Sequence, residues 1–281
     1  MRRVIHMSDL HFGRDRHELL QPLLRAVNDL AADVVIISGD LTQRATDEQF
    51  AASADFIRDL ASPVITIPGN HDLPLHNLFL RVFLPWRRYR RWINADLEPR
   101  FVDDELAVMG VNTVNRFVWQ QGWFRTRAIK KVCAEFAGLK GHRTRIVVVH
   151  HPLEHMPDVH KRLMRNAGAS ITALSKGGTD VVLSGHLHNW RAEPFAAVAG
   201  RRSAIQVHAG TSLSNRLRGE MNDFNLLEIV PGMITVHRHA FKDAASAFCA
   251  TAAVTFRAGP GGWSRDAAPV APSGAADGTG P

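Results

Sequence analysis

The residues of this chain that can do chemistry recur at the ends of apolar runs. Asp9 and His11 follow Arg3 to Met7, and Asp40 follows Val34 to Ile37 across Ser38-Gly39. Asn70, His71 and Asp72 follow Val64 to Pro68. His150 follows Val147-Val148-Val149, and His186 and His188 follow a run ending at Leu183. A short apolar run that gives way to a polar turn reads as a buried strand. Five strand ends therefore present Asp, His or Asn, and in open α/β sheets the carboxyl edge is where ligands bind.

Two carboxylates (Asp9, Asp40), four imidazoles (His11, His150, His186, His188) and one amide (Asn70) gathered at one edge would make a poor core, because unpaired buried charge is costly. Cations resolve this by neutralising the carboxylates and using the imidazole lone pairs. So many ligands exceed what one catalytic ion with an open position needs, and suit two ions that share a carboxylate. Asp40 is the expected bridge, because it stands alone on its turn while the others come in spaced pairs. Asp-x-His and His-x-His place both side chains on one side of an extended segment. Mixed nitrogen and oxygen ligands point to Mn, Fe, Zn or Co, as divalent or mixed-valence ions, rather than Mg or Ca. Two such ions can clamp a phosphoryl group.

The elements that must position these residues follow from periodicity. A helical apolar period runs over Glu18 to Leu30 and again over Asp47 to Leu60, where Asp47 is a candidate cap. With strands at residues 3–7, 34–37 and 64–67 this is a βαβαβ opening, which favours parallel strands with right-handed crossovers. Strands are expected at Phe101-Val102 and Leu106 to Val111, then at Arg145 to Val149 and Asp180 to Leu183. Ser203 to His208, Asp223 to Val230 and Met233 to Ala240 read as antiparallel strands, the last two joined at Pro231-Gly232. Helices are expected over Phe124 to Leu139, Val159 to Ala167 and Ile171 to Lys176. Residues 78–100 differ in kind, because arginines alternate there with Phe83, Trp86, Tyr89 and Trp92. This inserted segment has three readings: a cap over a cleft, a contact for an anionic membrane surface or acidic partner through 81–92, or a helix with a solvated basic face.

The 281 residues can bury a full core, and 45% hydrophobic with 22% charged residues is the composition of a globular protein. No apolar run is long enough to span a bilayer and no secretory leader is read. Cys133 and Cys249 lack metal-ligand spacing, so a reducing, cytoplasmic setting is expected. A formal charge of +7 is compatible with anionic partners. Nucleic acid is not expected, since no further DNA-binding or coiled-coil segment accompanies the charge.

Asp-x-His, Gly-Asp, Gly-Asn-His-Asp, a later His-His-Pro and Gly-His-x-His, in this order, resemble the calcineurin-like metallophosphoesterases. The resemblance covers about residues 1–240. It implies an α/β fold, a four-layer α/β/β/α sandwich of two mixed β-sheets flanked by helices. It also implies a dinuclear centre, with one ion held by Asp9, His11, Asp40 and His188 and the second by Asp40, Asn70, His150 and His186. The family uses the first histidine of His-His-Pro, which selects His150 over His151. His71 would assist the leaving oxygen without ligating, and Asp72 would orient His71. The implied reaction is in-line attack on phosphorus by a hydroxide generated at the metal pair. The segment from Ala209-Gly210-Thr211 to Asn222-Asp223-Phe224-Asn225 resembles the bacterial class III cyclic-nucleotide and glycerophosphodiester phosphodiesterase branch. A small-molecule phosphodiester, with cyclic AMP as trial substrate, is therefore expected, the alternatives being a phosphomonoesterase, a nucleotide-sugar pyrophosphatase, a nuclease or a non-catalytic scaffold of the same fold. Arg216 and Arg218 on that segment, and Asn112 on another strand-end loop, are candidate substrate contacts or merely solvated loop residues. One domain is expected over 1–241, with the insert at about 78–100 and a tail over 242–281, disordered from about 259.

Overall fold

Strands whose two faces are both buried build three apolar layers. The structure is a computed structural model and describes residues 1–75, 77–155, 162–196, 200 and 202–266. β1 (Arg2–Met7), α1 (Leu20–Asp29), β2 (Val34–Ile37), α2 (Asp47–Arg58) and β3 (Val64–Thr66) form the βαβαβ opening. β1, β2 and β3 pair in parallel. Two short helices follow, α3 (Leu78–Phe83) and α4 (Arg87–Trp92). The second half starts with β4 (Arg100–Val102), β5 (Leu106–Gly110), α5 (Thr126–Gly138), β6 (Thr144–Val148), α6 (Ala167–Lys176) and β7 (Val181–Ser184). It continues with β8 (Arg191–Pro194), β9 (Ile205–His208), β10 (Asp223–Val230), β11 (Met233–Lys242), β12 (Ala247–Gly259) and β13 (Gly262–Arg265).

The first sheet has the order β13-β12-β11-β10-β1-β2-β3 and the second β4-β5-β6-β7-β9-β8. Alternate residues of a strand face opposite sides, and the packing follows that rule. Val34 and Ile36 of β2 meet Ile146 and Val148 of β6 and Val181 and Leu183 of β7 between the sheets. Val35 and Ile37 turn outward onto Leu23, Val27 and Phe50 of α1 and α2. Val147 and Val182 turn outward onto Val132, Phe136 and Leu174 of α5 and α6. The result is the four-layer α/β/β/α sandwich. Each fully buried aliphatic side chain contributes about 1.5–3 kcal/mol, so the strand ends are carried on stiff elements.

Local details differ from the sequence expectation. Thr46, not Asp47, caps α2, its side chain accepting from the Gln49 N–H. Asp47 instead accepts from the Arg88 guanidinium and the Trp92 indole N–H, each at 2.8 Å, and so ties α4 to α2. Tyr89 is fully buried and donates to Thr66 Oγ1. The basic faces of the insert are therefore backed by an aromatic seam packed on the core. The helix expected over Val159 to Ala167 falls partly outside the described residues, and 162–166 are not helical. β8 was not anticipated. Its polar sequence is that of an edge strand, and it pairs with β9 at the end of the second sheet.

The largest correction is at the C-terminus, where 242–281 is not simply a tail. β12 pairs with β11 from Lys242↔Ala247 to Met233↔Arg257, and β13 returns along β12. Ala, Thr and Gly supply little apolar signal, so backbone pairing with an existing sheet edge decides the outcome. Trp263 is 5% exposed in the layer between the sheets, and its indole N–H donates to Asp180 Oδ1. The expected disorder therefore does not begin at 259. Residues 267–281 lie outside the described residues.

Trp263→Ala should destabilise the chain by about 3–5 kcal/mol in urea unfolding, and a midpoint equal to wild type would exclude β13 from the core. Two buried histidines should each oppose folding in mild acid. Burial lowers the pKa of His6 to about 3 and that of His208, aided by Arg191, to about 3. An unfolded histidine titrates near 6.5, so between about pH 6.5 and 3 the unfolded chain binds the extra protons and is favoured. At pH 5 each histidine contributes a loss of about 2 kcal/mol. His208→Gln should shift the stability at pH 5 relative to pH 7 upward by about 2 kcal/mol compared with wild type.

Candidate active site

The carboxyl ends of β1, β2 and β3 meet those of β6 and β7, and the polar residues that follow these strands converge. Asp9, His11, Asp40, Asn70, His150, His186 and His188 are all at most 8% exposed. The turns that carry them are strained. Asp9, His11, Asp40, His186 and His188 all have φ between 50° and 73°. That left-handed conformation costs an L-residue roughly 1–2 kcal/mol, and such strain persists where surrounding structure over-determines it.

Two glycines allow the turns to approach. A Cβ on Gly69 would strike the Asp40 backbone and carboxylate, and one on Gly185 would strike Ser8 and Asp9. The turns are then cross-bonded. Asp9 N–H donates to the Gly39 carbonyl and His11 N–H to that of Asp40. The His186 N–H donates to Asp9 Oδ2 and the His71 N–H to Asp40 Oδ1, at 2.9 and 2.7 Å.

Each carboxylate thereby keeps one oxygen aimed at the imidazoles. Asp9 Oδ1 lies 3.1 Å from His188 Nε2 and 3.5 Å from His11 Nε2. Asp40 Oδ2 lies 3.4 Å from His150 Nε2 and 3.8 Å from His11 Nε2. Backbone carbonyls orient two rings. The Nδ1 atoms of His188 and His150 each sit 2.9 Å from a carbonyl, of Arg216 and Ser38 respectively. Donation there turns each Nε2 lone pair inward, the second-layer arrangement typical of metal-binding histidines. His150 Nε2 also lies 3.1 Å from Asn70 Oδ1.

A donor set of this kind fits cations better than it fits itself. His11 Nε2 and His188 Nε2 face each other at 3.2 Å. His11 Nδ1 is buried without a hydrogen-bond partner among the described residues. Ligand atoms within 4.8 Å of one another group as Asp9, His11 and His188, as Asp9, Asp40 and His150, as His11, Asp40 and His71, and as His150, His151 and His186. Burial opposes the Asp9 charge, yet His188, His11 and His150 outweigh it and hold the carboxyl well below the usual range. Burial likewise opposes charge on His150, and the Asp40 carboxylate outweighs it, raising the imidazole to about 9.

His71 enters one of these groups and lies edge-on to His11 with ring centroids 4.9 Å apart. Its Nδ1 is 3.0 Å from the Gln43 carbonyl and its Nε2 is 3.3 Å from the Arg216 guanidinium. Asp72 does not orient it. The Asp72 carboxylate accepts from the N–H groups of Gly69, Leu41 and Thr42 and from the Thr42 hydroxyl. It clamps the Asp40 turn to the Asn70 turn. Arg216 reaches the site, whereas Arg218 is exposed on the same loop. Asn112 uses its side-chain oxygen to accept the Val114 N–H, which shapes its own loop.

Several contributors escaped the sequence reading. Gln43 and Ser38 act through backbone carbonyls, which leave no trace in residue type. His151 was set aside in favour of His150, yet it enters a ligand group with His150 and His186, its Nδ1 2.9 Å from Thr113 Oγ1. His6 in the apolar strand β1 was the one visible signal, and its ring lies 2.9 Å from Ser38 Oγ, behind His150.

The arrangement has relatives. The chain is 25% identical over 256 residues to the 3',5'-cyclic adenosine monophosphate phosphodiesterase CpdA of Escherichia coli, spanning 85% of this chain and 86% of that protein. It is 26% identical over 167 residues to the glycerophosphodiester phosphodiesterase GpdQ of Enterobacter lignolyticus, spanning 53% and 56%. In fold it is similar to the purple acid phosphatase PPD1 of yellow lupin, with a TM-score of 0.62 at 14% identity over 90% of this chain and 53% of that one. Residues 2–190, which carry every strand end described above, match the calcineurin-like phosphoesterase family, and the chain belongs to that family as a metal-dependent phosphoester hydrolase.

Proposed function

We propose that the chain is a phosphodiesterase acting on a small diester, with a 3',5'-cyclic nucleotide as the first substrate to test. The observation that carries this reading is the position of Asp40. One of its oxygens points to a histidine of each of two groups, His11 and His150. Asp40 would be shared by an ion held with Asp9, His11 and His188 and by one held with Asn70, His150 and His186, where His151 is a further neighbour. Such a pair, as Mn, Fe, Zn or Co, supplies Lewis acidity to a phosphoryl group and lowers the pKa of a bound water.

The chain's own residues supply the rest. The Gln43 carbonyl holds the His71 ring by Nδ1, so Nε2 is the atom presented to substrate. From there His71 would pass a proton to the departing oxygen. Arg216, beside it, would pair with a non-bridging phosphate oxygen once substrate separates the two. Asp72 holds the two turns at fixed spacing and contributes positioning alone. The likeness to a cyclic-nucleotide and a glycerophosphodiester phosphodiesterase supports a diester over a monoester.

In Mn²⁺-loaded assays the protein should hydrolyse cyclic AMP and bis-p-nitrophenyl phosphate faster than p-nitrophenyl phosphate. A preference for the monoester would overturn the proposal. A nucleotide-sugar pyrophosphate and a glycerophosphodiester in the same panel would rank the alternatives. His71→Ala should lower kcat by about 10²-fold or more while elemental analysis still finds both ions. Asp40→Ala should lose at least one ion.

A further inference from the structure

Two segments leave the carboxyl edge of the sheets and meet outside the core. α3 begins six residues after Asp72. The loop over 112–123 is anchored at the site through Thr113, bonded to the His151 ring, and through Gly122, packed against that ring. Arg81, only 3% exposed, joins the two. It donates to the carbonyls of Arg116 and Val118 and lies 4.9 Å from the Trp119 ring centroid.

Both segments carry exposed apolar side chains. Leu78, Phe79, Phe83, Leu84, Phe117 and Trp119 are 65%, 63%, 66%, 43%, 69% and 54% exposed. Large apolar groups concentrated on two neighbouring projections mark an interaction surface. By contrast Trp86 and Trp92, which alternate with the arginines of the insert, pack against the core. The apolar contact therefore lies at 78–84 and 117–119, not at the tryptophans of 81–92.

Charge selects the partner. Residues 73–95 contain five arginines and residues 106–134 contain five arginines and lysines, and neither stretch contains an Asp or Glu. Beside Leu84 a small cavity is lined by Arg87, Arg88 and Arg91, where Asp47 bonds Arg88 and lies 3.9 Å from Arg91. A second copy of this chain would set like charges against each other, and Leu78 and Leu84 offer nothing for a base to stack on. Hydrocarbon beneath anionic headgroups satisfies both the apolar tips and the cations around them.

We propose that the 78–84 and 117–119 tips dock on an anionic phospholipid surface, inserting Phe79, Phe83 and Phe117 while Arg87 and Arg91 pair with headgroup phosphates. This brings the carboxyl edge that holds the site close to the lipid interface.

Co-sedimentation with vesicles tests this. The full chain should sediment with phosphatidylcholine vesicles containing phosphatidylglycerol at low salt, and far less with phosphatidylcholine alone. Phe79→Ser/Phe83→Ser and, separately, Phe117→Ser should each weaken that binding by about tenfold or more with the far-ultraviolet circular dichroism unchanged. Arg87→Gln/Arg91→Gln should remove the preference for the anionic vesicles. Wild-type chain that stays in the supernatant, or serine variants that sediment like wild type, would overturn the proposal. So would a solution dimer, or binding to single-stranded DNA, that the same serine substitutions abolish in place of vesicle binding.

Discussion

Everything at the functional edge depends on the Asp40 carboxylate. One oxygen is committed to the His71 backbone N–H and the other faces His11 and His150. A carboxylate this deeply buried survives only if cationic or donor groups surround it. Those groups come from the turns after β1, β3 and β6, so Asp40 requires both sheets to bring their carboxyl ends together. Asp72 and Gly69 serve the same requirement. The first clamps the neighbouring turn through three donors, and the second keeps its own backbone thin enough for Asp40 to approach.

The cost of this convergence appears in the backbone. Five of the seven candidate ligands occupy the left-handed region. Strands with both faces buried hold those turns from behind, because Val34 to Ile37 and Ile146 to Val149 have no solvated side through which to relax. Stiff layers and strained tips belong together: the layers carry the strain, and the tips aim lone pairs at one small volume. The buried, cation-fitted cluster is thereby a consequence of that packing.

Much of this was legible from residue order. Asp9, His11, Asp40, Asn70, His150, His186 and His188 stood out because each follows an apolar run, and the two strand periods and the main helices could be read beside them. Less legible was anything decided by backbone groups or by distant partners. Asp72 read as a companion of His71, but its donors lie on the Asp40 turn. Trp86 and Trp92 alternate with arginines in the sequence, yet Asp47, some forty residues earlier, draws Trp92 onto α2.

Sequence by itself determined which residues could be ligands and on which strand ends they sit, because period and turn chemistry are local properties. Tertiary structure decided how they are shared. It placed Asp40 between His11 and His150, set Arg216 against His71 Nε2, and drew Ala247 to Arg265 into the first sheet. The reason is physical. Shared oxygens, ring orientation by carbonyls and pairing at a sheet edge are contacts between segments far apart in the chain. Their energies depend on where the backbone runs, and residue type alone does not encode that.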